Sequence, residues 1–261
     1  MDEYGADALR FSIILITASG QDAYYSDEKM AIGRNFCNKL WNSARFAFMN
    51  LTGAPCAPLD VAALPPEDRW ILAKLSATIR ELQEELRQYH YAPSIKILRD
   101  FFWDAFCDWY IELTKPRFRD AASAGPTQQV LAFVLDQTLR LMSPFLPFIT
   151  ERLWEELNRI APQRGLPGVA DCPPSDILML APFPPRDGYA ALDDPHVLEV
   201  FEDIQSAVRG VRDLRNKCVV PVRQKVDVTI KAAREHLDLL AEQQHIIAEM
   251  AGVATMNLVT E

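Results

Sequence analysis

Four histidines and five cysteines are all the imidazole and thiol that these 261 residues contain. Cys37, Cys56, Cys107, Cys172 and Cys218 lie at long intervals with no C-x-x-C pair, and His90, His196, His236 and His245 are equally dispersed. Such spacing excludes the usual zinc site and a disulfide framework, so no metal ligand is assigned and reduced thiols are expected. Also missing are G-x-x-x-x-G-K-[ST], G-x-G-x-x-G, H-E-x-x-H and G-x-S-x-G, and with them the common loops and elbows for phosphate, dinucleotide, zinc and serine chemistry. No catalytic residue is assigned. The longest apolar run, residues 11–18, is broken by Ser12 and cannot span a bilayer. The start, Met-Asp-Glu, lacks the basic region of a secretory leader, so a cytoplasmic protein is the economical expectation. Positive charge is in deficit too. A net charge of −9 argues against a protein that coats nucleic acid indiscriminately.

What is present is core and helix. Hydrophobic residues make up 49% of the chain and charged residues 24%, the balance of a globular protein with a real core. Ser26-Asp27-Glu28 has the capping serine and first-turn acids of a helix start, opening a helix that runs to about Leu51. Pro65-Pro66-Glu67-Asp68 opens a second, with Leu72, Leu75, Ile79, Leu82 and Leu86 three and four apart. A third long helix follows the break at Tyr91-Ala92-Pro93-Ser94, a fourth starts at Gly125-Pro126-Thr127 and ends at Pro144, and a short fifth follows Pro147. Long amphipathic helices with short connections predict a mainly α helical bundle over residues 1–160. Residues 161–190, rich in proline, read as an irregular linker. Residues 191–261 read as a small α+β unit in α-β-α-β order. Its first helix opens at Asp193-Asp194-Pro195, a period-two strand spans residues 225–230, a helix runs from about Glu235 to Met250, and a short strand covers residues 255–259.

The first of these helices has an unusual face. From Lys29 to Asn50 it carries Lys29, Arg34, Lys39 and Arg45 and no acid, a local excess of positive charge in an acidic chain. On a helix, Phe36, Leu40, Ala44, Ala47, Phe48 and Leu51 gather on one side, and Asn35, Asn38, Lys39, Asn42, Arg45 and Phe46 on the other. Amides pair with base edges, cations with phosphate or guanine, and a ring stacks on an unpaired base. The same pattern also fits a solvated face with Phe46 tucked against a neighbouring helix. A second basic cluster comprises Arg209, Arg212, Arg215, Lys217, Arg223 and Lys225, opposed only by Asp213. It fits a phosphate backbone or, equally, the negative end of a helix dipole. The aromatic stretch 101–112 fits a buried core helix or, alternatively, the contact surface of a protein-interaction module.

Several segments carry a family likeness. Tyr4-Gly5-Ala6-Asp7-Ala8-Leu9-Arg10 resembles the segment after the KMSKS loop in class I aminoacyl-tRNA synthetases of the valine, isoleucine and leucine group. Arg34-Asn35-Phe36-Cys37-Asn38-Lys39-Leu40-Trp41-Asn42-Ser43-Ala44-Arg45-Phe46 resembles the anticodon-domain helix of valyl-tRNA synthetases, and Phe106-Cys107-Asp108-Trp109-Tyr110-Ile111-Glu112-Leu113-Thr114-Lys115-Pro116-Arg117 is similar to a second segment of the same family. Pro144-Phe145-Leu146-Pro147-Phe148-Ile149-Thr150-Glu151-Arg152-Leu153-Trp154 is shared more widely in the group. The resemblance implies an anticodon-binding region that recognises valine tRNA, whose second and third anticodon bases are adenine and cytosine. It implies anticodon contacts from Arg34, Asn35, Asn38, Lys39, Asn42, Arg45 and Phe46, and leaves Arg209, Arg212 and Arg215 as candidates for the tRNA backbone. The nucleotide-binding fold and editing domain of the family precede the equivalent of Tyr4. The implied partners are therefore tRNA and the catalytic domain of the same polypeptide, with neither DNA nor membrane. ATP is expected to serve the intact enzyme and no cofactor this region, which by itself is expected to be inactive. A leucyl or isoleucyl module is the nearer alternative.

Overall fold

The computed structural model describes residues 3–17, 26–51, 56–221 and 223–260. Contacts divide the chain into two compact units, Met1–Asp193 and Asp194–Glu261. The first contains α1 (Ala6–Ile16), α2 (Asp27–Asn50), α3 (Pro66–Arg87) and α4 (Tyr91–Asp100). A π-helical stretch (Phe101–Tyr110) follows, then α5 (Ile111–Arg117), α6 (Ala121–Met142) and α7 (Pro147–Ile160). The starts follow the capping chemistry that the sequence spells out. Ser26 accepts the Lys29 amide at the head of α2, and Pro66 and Pro147 take first-turn positions where no amide bond is lost. The apolar stripe of α3 is realised, with Leu72, Leu75, Ile79 and Leu82 fully buried, each contributing about 1.5–3 kcal/mol.

The helices differ from the sequence expectation at several points: α4 already begins at Tyr91, inside the stretch read as a break, and α5 runs through Pro116 to Arg117. α6 begins at Ala121, so that Gly125 and Pro126 lie inside it rather than at its start. An alanine-rich stretch favours helix strongly enough to extend the first turns past them. The third helix is not uniform: its middle ten residues, Phe101–Tyr110, are π-helical, a wider winding often associated with functional sites. The turn expected after Leu51 falls partly on residues 52–55, outside the described residues.

α1 and α2 pack closely at Gly33. A Cβ there would stand 2.1 Å from the Ala8 carbonyl oxygen and 2.5 Å from Ser12 Oγ. Ser12 Oγ instead accepts the Gly33 amide at 3.0 Å, and Phe11 stacks on Phe36 with ring centroids 4.2 Å apart. The motif 4–10 also holds α7. Asp7 accepts the Ile149 amide at 2.6 Å, an acid at a helix N-terminus, while Arg10 donates to the Phe145 and Pro144 carbonyls. Two of the family-like segments therefore meet each other.

Residues 161–190 have little regular structure, but they belong to the first unit and are bound down. Leu166, Leu178 and Tyr189 are buried. Asp136, wholly buried on α6, joins Arg140 Nε and Arg164 Nε, each at 2.6 Å. Arg140 donates onward to the Pro173 and Pro182 carbonyls, and Trp154 Nε1 to that of Ser175. The prolines that deny this segment a helix or strand leave its carbonyls unpaired by a ladder, and buried guanidinium and indole groups answer them.

The second unit holds α8 (Pro195–Lys217), β1 (Val226–Ala232), α9 (Arg234–Glu242), α10 (Gln244–Ala251) and β2 (Val253–Thr260). Asp194 caps α8 through the Val197 amide at 3.0 Å. The helix expected over 235–250 is interrupted at Gln243, and the strands pair in parallel with Ile230 opposite Leu258. Gly252 ends α10 at φ +66°, in the left-handed conformation that caps helices.

Candidate nucleic-acid interface

α2 buries Met30, Gly33, Phe36, Leu40, Ser43, Ala44 and Ala47, which fixes its rotation. Arg34, Asn35, Asn38, Asn42 and Arg45 are consequently exposed. Among the described residues, Asn35, Asn38, Asn42 and Arg45 have no hydrogen-bond or ion-pair partner. They stand three, four and three residues apart, a continuous stripe of free amide and guanidinium donors and acceptors. Arg34 lies 5.7 Å above the Tyr4 ring.

The flanks of the stripe come from other elements. Lys39 Nζ donates to Asp108 Oδ1 at 2.9 Å from the π-helical stretch and sits 5.3 Å from the Trp103 ring centroid. Partial burial works against the Lys39 ammonium, but the bond to Asp108 and the charges of Asp108 and Glu112 outweigh it and raise its pKa. Lys39 is therefore held charged. Burial, and then the neighbouring Asp100 and Asp108 charges, raise the pKa of Asp104 on the same stretch.

Phe46 divides between the core and the face. Its ring is half-buried, 6.1 Å from Phe118 and 5.9 Å from Lys115 Nζ. The alternative of a ring tucked against a neighbouring helix describes its main contacts, although part of it stays exposed. Trp41, which falls between the two helix faces, is 40% exposed on the opposite flank. With Arg45, Met49 and Arg152 it lines an open cleft of about 350 Å³ between α2 and α7. A side chain three residues from Asn38 and four from Arg45 shares their side of a helix, and that spacing was the available signal.

The supports are buried. Tyr110 donates to Asp68 Oδ1 at 2.8 Å, and Arg117 reaches Asp68 Oδ2 at 2.8 Å and Glu67 Oε1 at 3.2 Å. Burial, and then the Asp68 charge, push the Tyr110 hydroxyl well above its ordinary pKa, so it stays a donor. This cluster pins α5, which carries Lys115, beside α3, and Phe118 follows directly. Ser43 and Cys107 meet at 3.0 Å under the α2 face, and burial pushes the Cys107 thiol up to about 12. All five cysteines are free, and no cluster of three His, Cys, Asp or Glu suited to a metal occurs among the described residues.

Two other sequence expectations meet plain outcomes. Phe101, Phe102, Phe106, Trp109 and Tyr110 are buried, so they offer no contact surface to a partner protein. In the second unit, Arg212 donates twice to the Met250 carbonyl, at 3.0 and 2.6 Å. Arg215 donates to the Gly252 and Pro221 carbonyls at 3.1 and 2.9 Å. Both side chains fasten the end of α10 and the loop after α8, although Arg212, like Arg209, stays exposed to solvent. No helix among the described residues is long and apolar enough to cross a membrane.

Comparison with known proteins identifies the family. The family model described as the anticodon-binding domain of tRNA ligase matches residues 68–230. A valine–tRNA ligase of Carboxydothermus hydrogenoformans is 38% identical over 250 residues, 95% of this chain and 27% of that protein. Those of Rhodopirellula baltica and Thermotoga maritima are 36% and 33% identical, over 88% and 100% of this chain and 22% and 28% of their own lengths. The chain thus spans about a quarter of the length of the curated relatives it matches. Among solved structures, the ternary complex of Agrobacterium radiobacter K84 agnB2 LeuRS with tRNA and LeuAMS covers 99% of this chain and 28% of that one. The likeness is loose, at 16% identity and a TM-score of 0.49.

Proposed function

Since the chain belongs to the family of anticodon-binding domains of tRNA ligases, we propose that it grips the anticodon arm of a valine tRNA through the exposed face of α2. The observation that carries this reading is the stripe of Asn35, Asn38, Asn42 and Arg45, unpartnered among the described residues and mounted on a helix whose other side is locked into the core. Free amides and a free guanidinium suit the edges and phosphates of unpaired nucleotides, and a rigid helix limits the entropy lost on binding. Lys39 and the exposed part of Phe46 extend the surface on one flank, Arg34 and the Trp41 cleft on the other. Valine as the cognate amino acid rests on the relatives, which are valine–tRNA ligases at 33–38% identity. In a longer polypeptide of that kind, this region holds the tRNA while a catalytic domain joins valine to it at the expense of ATP.

Titration of the 261-residue chain with a valine anticodon stem-loop tests the proposal. The controls are the same stem-loop with leucine or isoleucine anticodons, and heparin as a polyanion. Tighter binding of the valine loop than of all three is the expected result. Equal affinity for every loop would remove the valine assignment, and equal affinity for heparin would remove anticodon recognition altogether.

A further inference from the structure

The stripe on α2 is built mainly of asparagines, and an asparagine amide can present either its oxygen or its nitrogen to a base. Amides alone therefore reward hydrogen bonding without fixing which edge is accepted. The Lys39–Asp108 pair differs. An ammonium only donates and a carboxylate only accepts, so the polarity of the pair cannot be reversed by a side-chain flip. We propose that the Lys39–Asp108 ion pair is a specificity element, reading the Watson–Crick edge of one unpaired adenine or cytosine in the bound anticodon loop.

The geometry supports this in four ways. The pair has bonding capacity left over. Lys39 Nζ uses one of three donors on Asp108 Oδ1, and Asp108 Oδ2 has no hydrogen bond among the described residues. Both side chains are reachable, at 32% and 48% exposure. Their place is also right, since Asn35 and Asn42 lie four residues before and three after Lys39, neighbours on one helix surface. Finally, Lys39 is fixed between Asp108 and the Trp103 ring instead of sweeping through solvent.

The chemistry then selects the base. Adenine and cytosine both present an exocyclic amine, a donor, beside a bare ring nitrogen, an acceptor. The carboxylate oxygen meets the amine and the ammonium meets the ring nitrogen. Guanine and uracil present a carbonyl oxygen beside a ring N–H. Presented to the pair in the same orientation, that arrangement sets oxygen against oxygen and donor against donor, and a mismatch of this kind is disfavoured. A carboxylate also repels phosphate, so at this spot the partner is a base edge rather than the backbone.

This inference rests on the anticodon-arm reading above, and the test separates the two. Stem-loops are prepared with the valine anticodon, with its adenine replaced by inosine, and with its cytosine replaced by uracil. Each replacement exchanges amine for carbonyl in one base while keeping the ring. The wild-type chain is expected to bind one replaced loop on the order of tenfold more weakly. In Asp108→Asn, whose amide still accepts from Lys39 but turns either way, that gap is expected to shrink below about threefold while the melting temperature holds. Wild-type protein that ignores both replacements overturns the proposal without any variant, as does an Asp108→Asn protein that loses affinity for all loops equally and keeps the gap. Failure of the wild-type chain to bind any of the loops more tightly than heparin refutes the anticodon reading and this inference with it.

Discussion

α2 and α8 each concentrate positive charge in a chain that is acidic overall, and they use it in opposite ways. On α2, Arg45 and the asparagines around it point outward with no partner among the described residues. Near the end of α8, Arg212 and Arg215 spread four hydrogen bonds over the carbonyls of Met250, Gly252 and Pro221. Composition cannot distinguish the two, because a guanidinium that closes a small domain and one left free at the surface are the same letter. The buried pair Arg140 and Arg164, clamped on Asp136, marks the extreme of commitment. A charge already satisfied inside the fold has little left to offer a ligand, and removing it costs stability before it costs binding.

That contrast orders the expected effects of substitution on stability. Asp136→Ala should be the most damaging, because two guanidinium groups would remain buried without their counter-charge. A loss of about 3–5 kcal/mol is expected in urea unfolding. A loss under 1 kcal/mol would mean that the 161–190 segment is held by other contacts. Arg212→Ala should follow, at about 1–3 kcal/mol from a Met250 carbonyl left without its guanidinium donor. Arg215→Ala should cost less, about 0.5–1.5 kcal/mol, because the Gly252 and Pro221 carbonyls keep the Val226 and Gln224 amides. RNA affinity and its salt dependence should be unchanged in both. If instead either variant lowers the slope of log affinity against log salt by about one unit, the end of α8 touches phosphate and the contrast with α2 disappears.

Phe46→Ala belongs between the two classes, since its ring is half-buried on Phe118 yet lies on the proposed binding face. A stability loss of about 1–2 kcal/mol together with weaker stem-loop binding is expected. Unaltered melting with lost binding would restore the ring to a purely stacking role. Smallest in stability are Asn42→Ala and Arg45→Ala, within about 0.5 kcal/mol of wild type, because nothing in the fold depends on their side chains. In affinity for the valine stem-loop the order should invert, each costing about 1–3 kcal/mol. Fluorescence anisotropy alongside calorimetry on the same preparations reads both scales.

Much of this was legible from local pattern. The starts of α2, α3, α7 and α8 are written in serine, proline and aspartate chemistry that acts over one turn. Periodicity also oriented α2 correctly, placing Phe36, Leu40, Ala44 and Ala47 inside and the asparagines outside. Less legible was the fate of side chains at the margin of a helix face, where a few tens of degrees decide between burial and exposure. Phe46 turned toward Phe118 and Trp41 toward solvent, for reasons that lie in α5 and α7 rather than in α2.

The sequence by itself thus determined the helical class, most element boundaries and which side of α2 faces outward. These depend on propensities and periodicities that span a turn or two of chain. Tertiary structure alone decided that Asp108 meets Lys39 across 69 residues, that the arginines of α8 are tied to the far end of their unit, and that the proline-rich segment is clamped by Asp136, Arg140 and Arg164. Each is a pairing of groups distant in the chain. Partner choice of that kind follows from how packed helices bring surfaces together, and no local pattern encodes it.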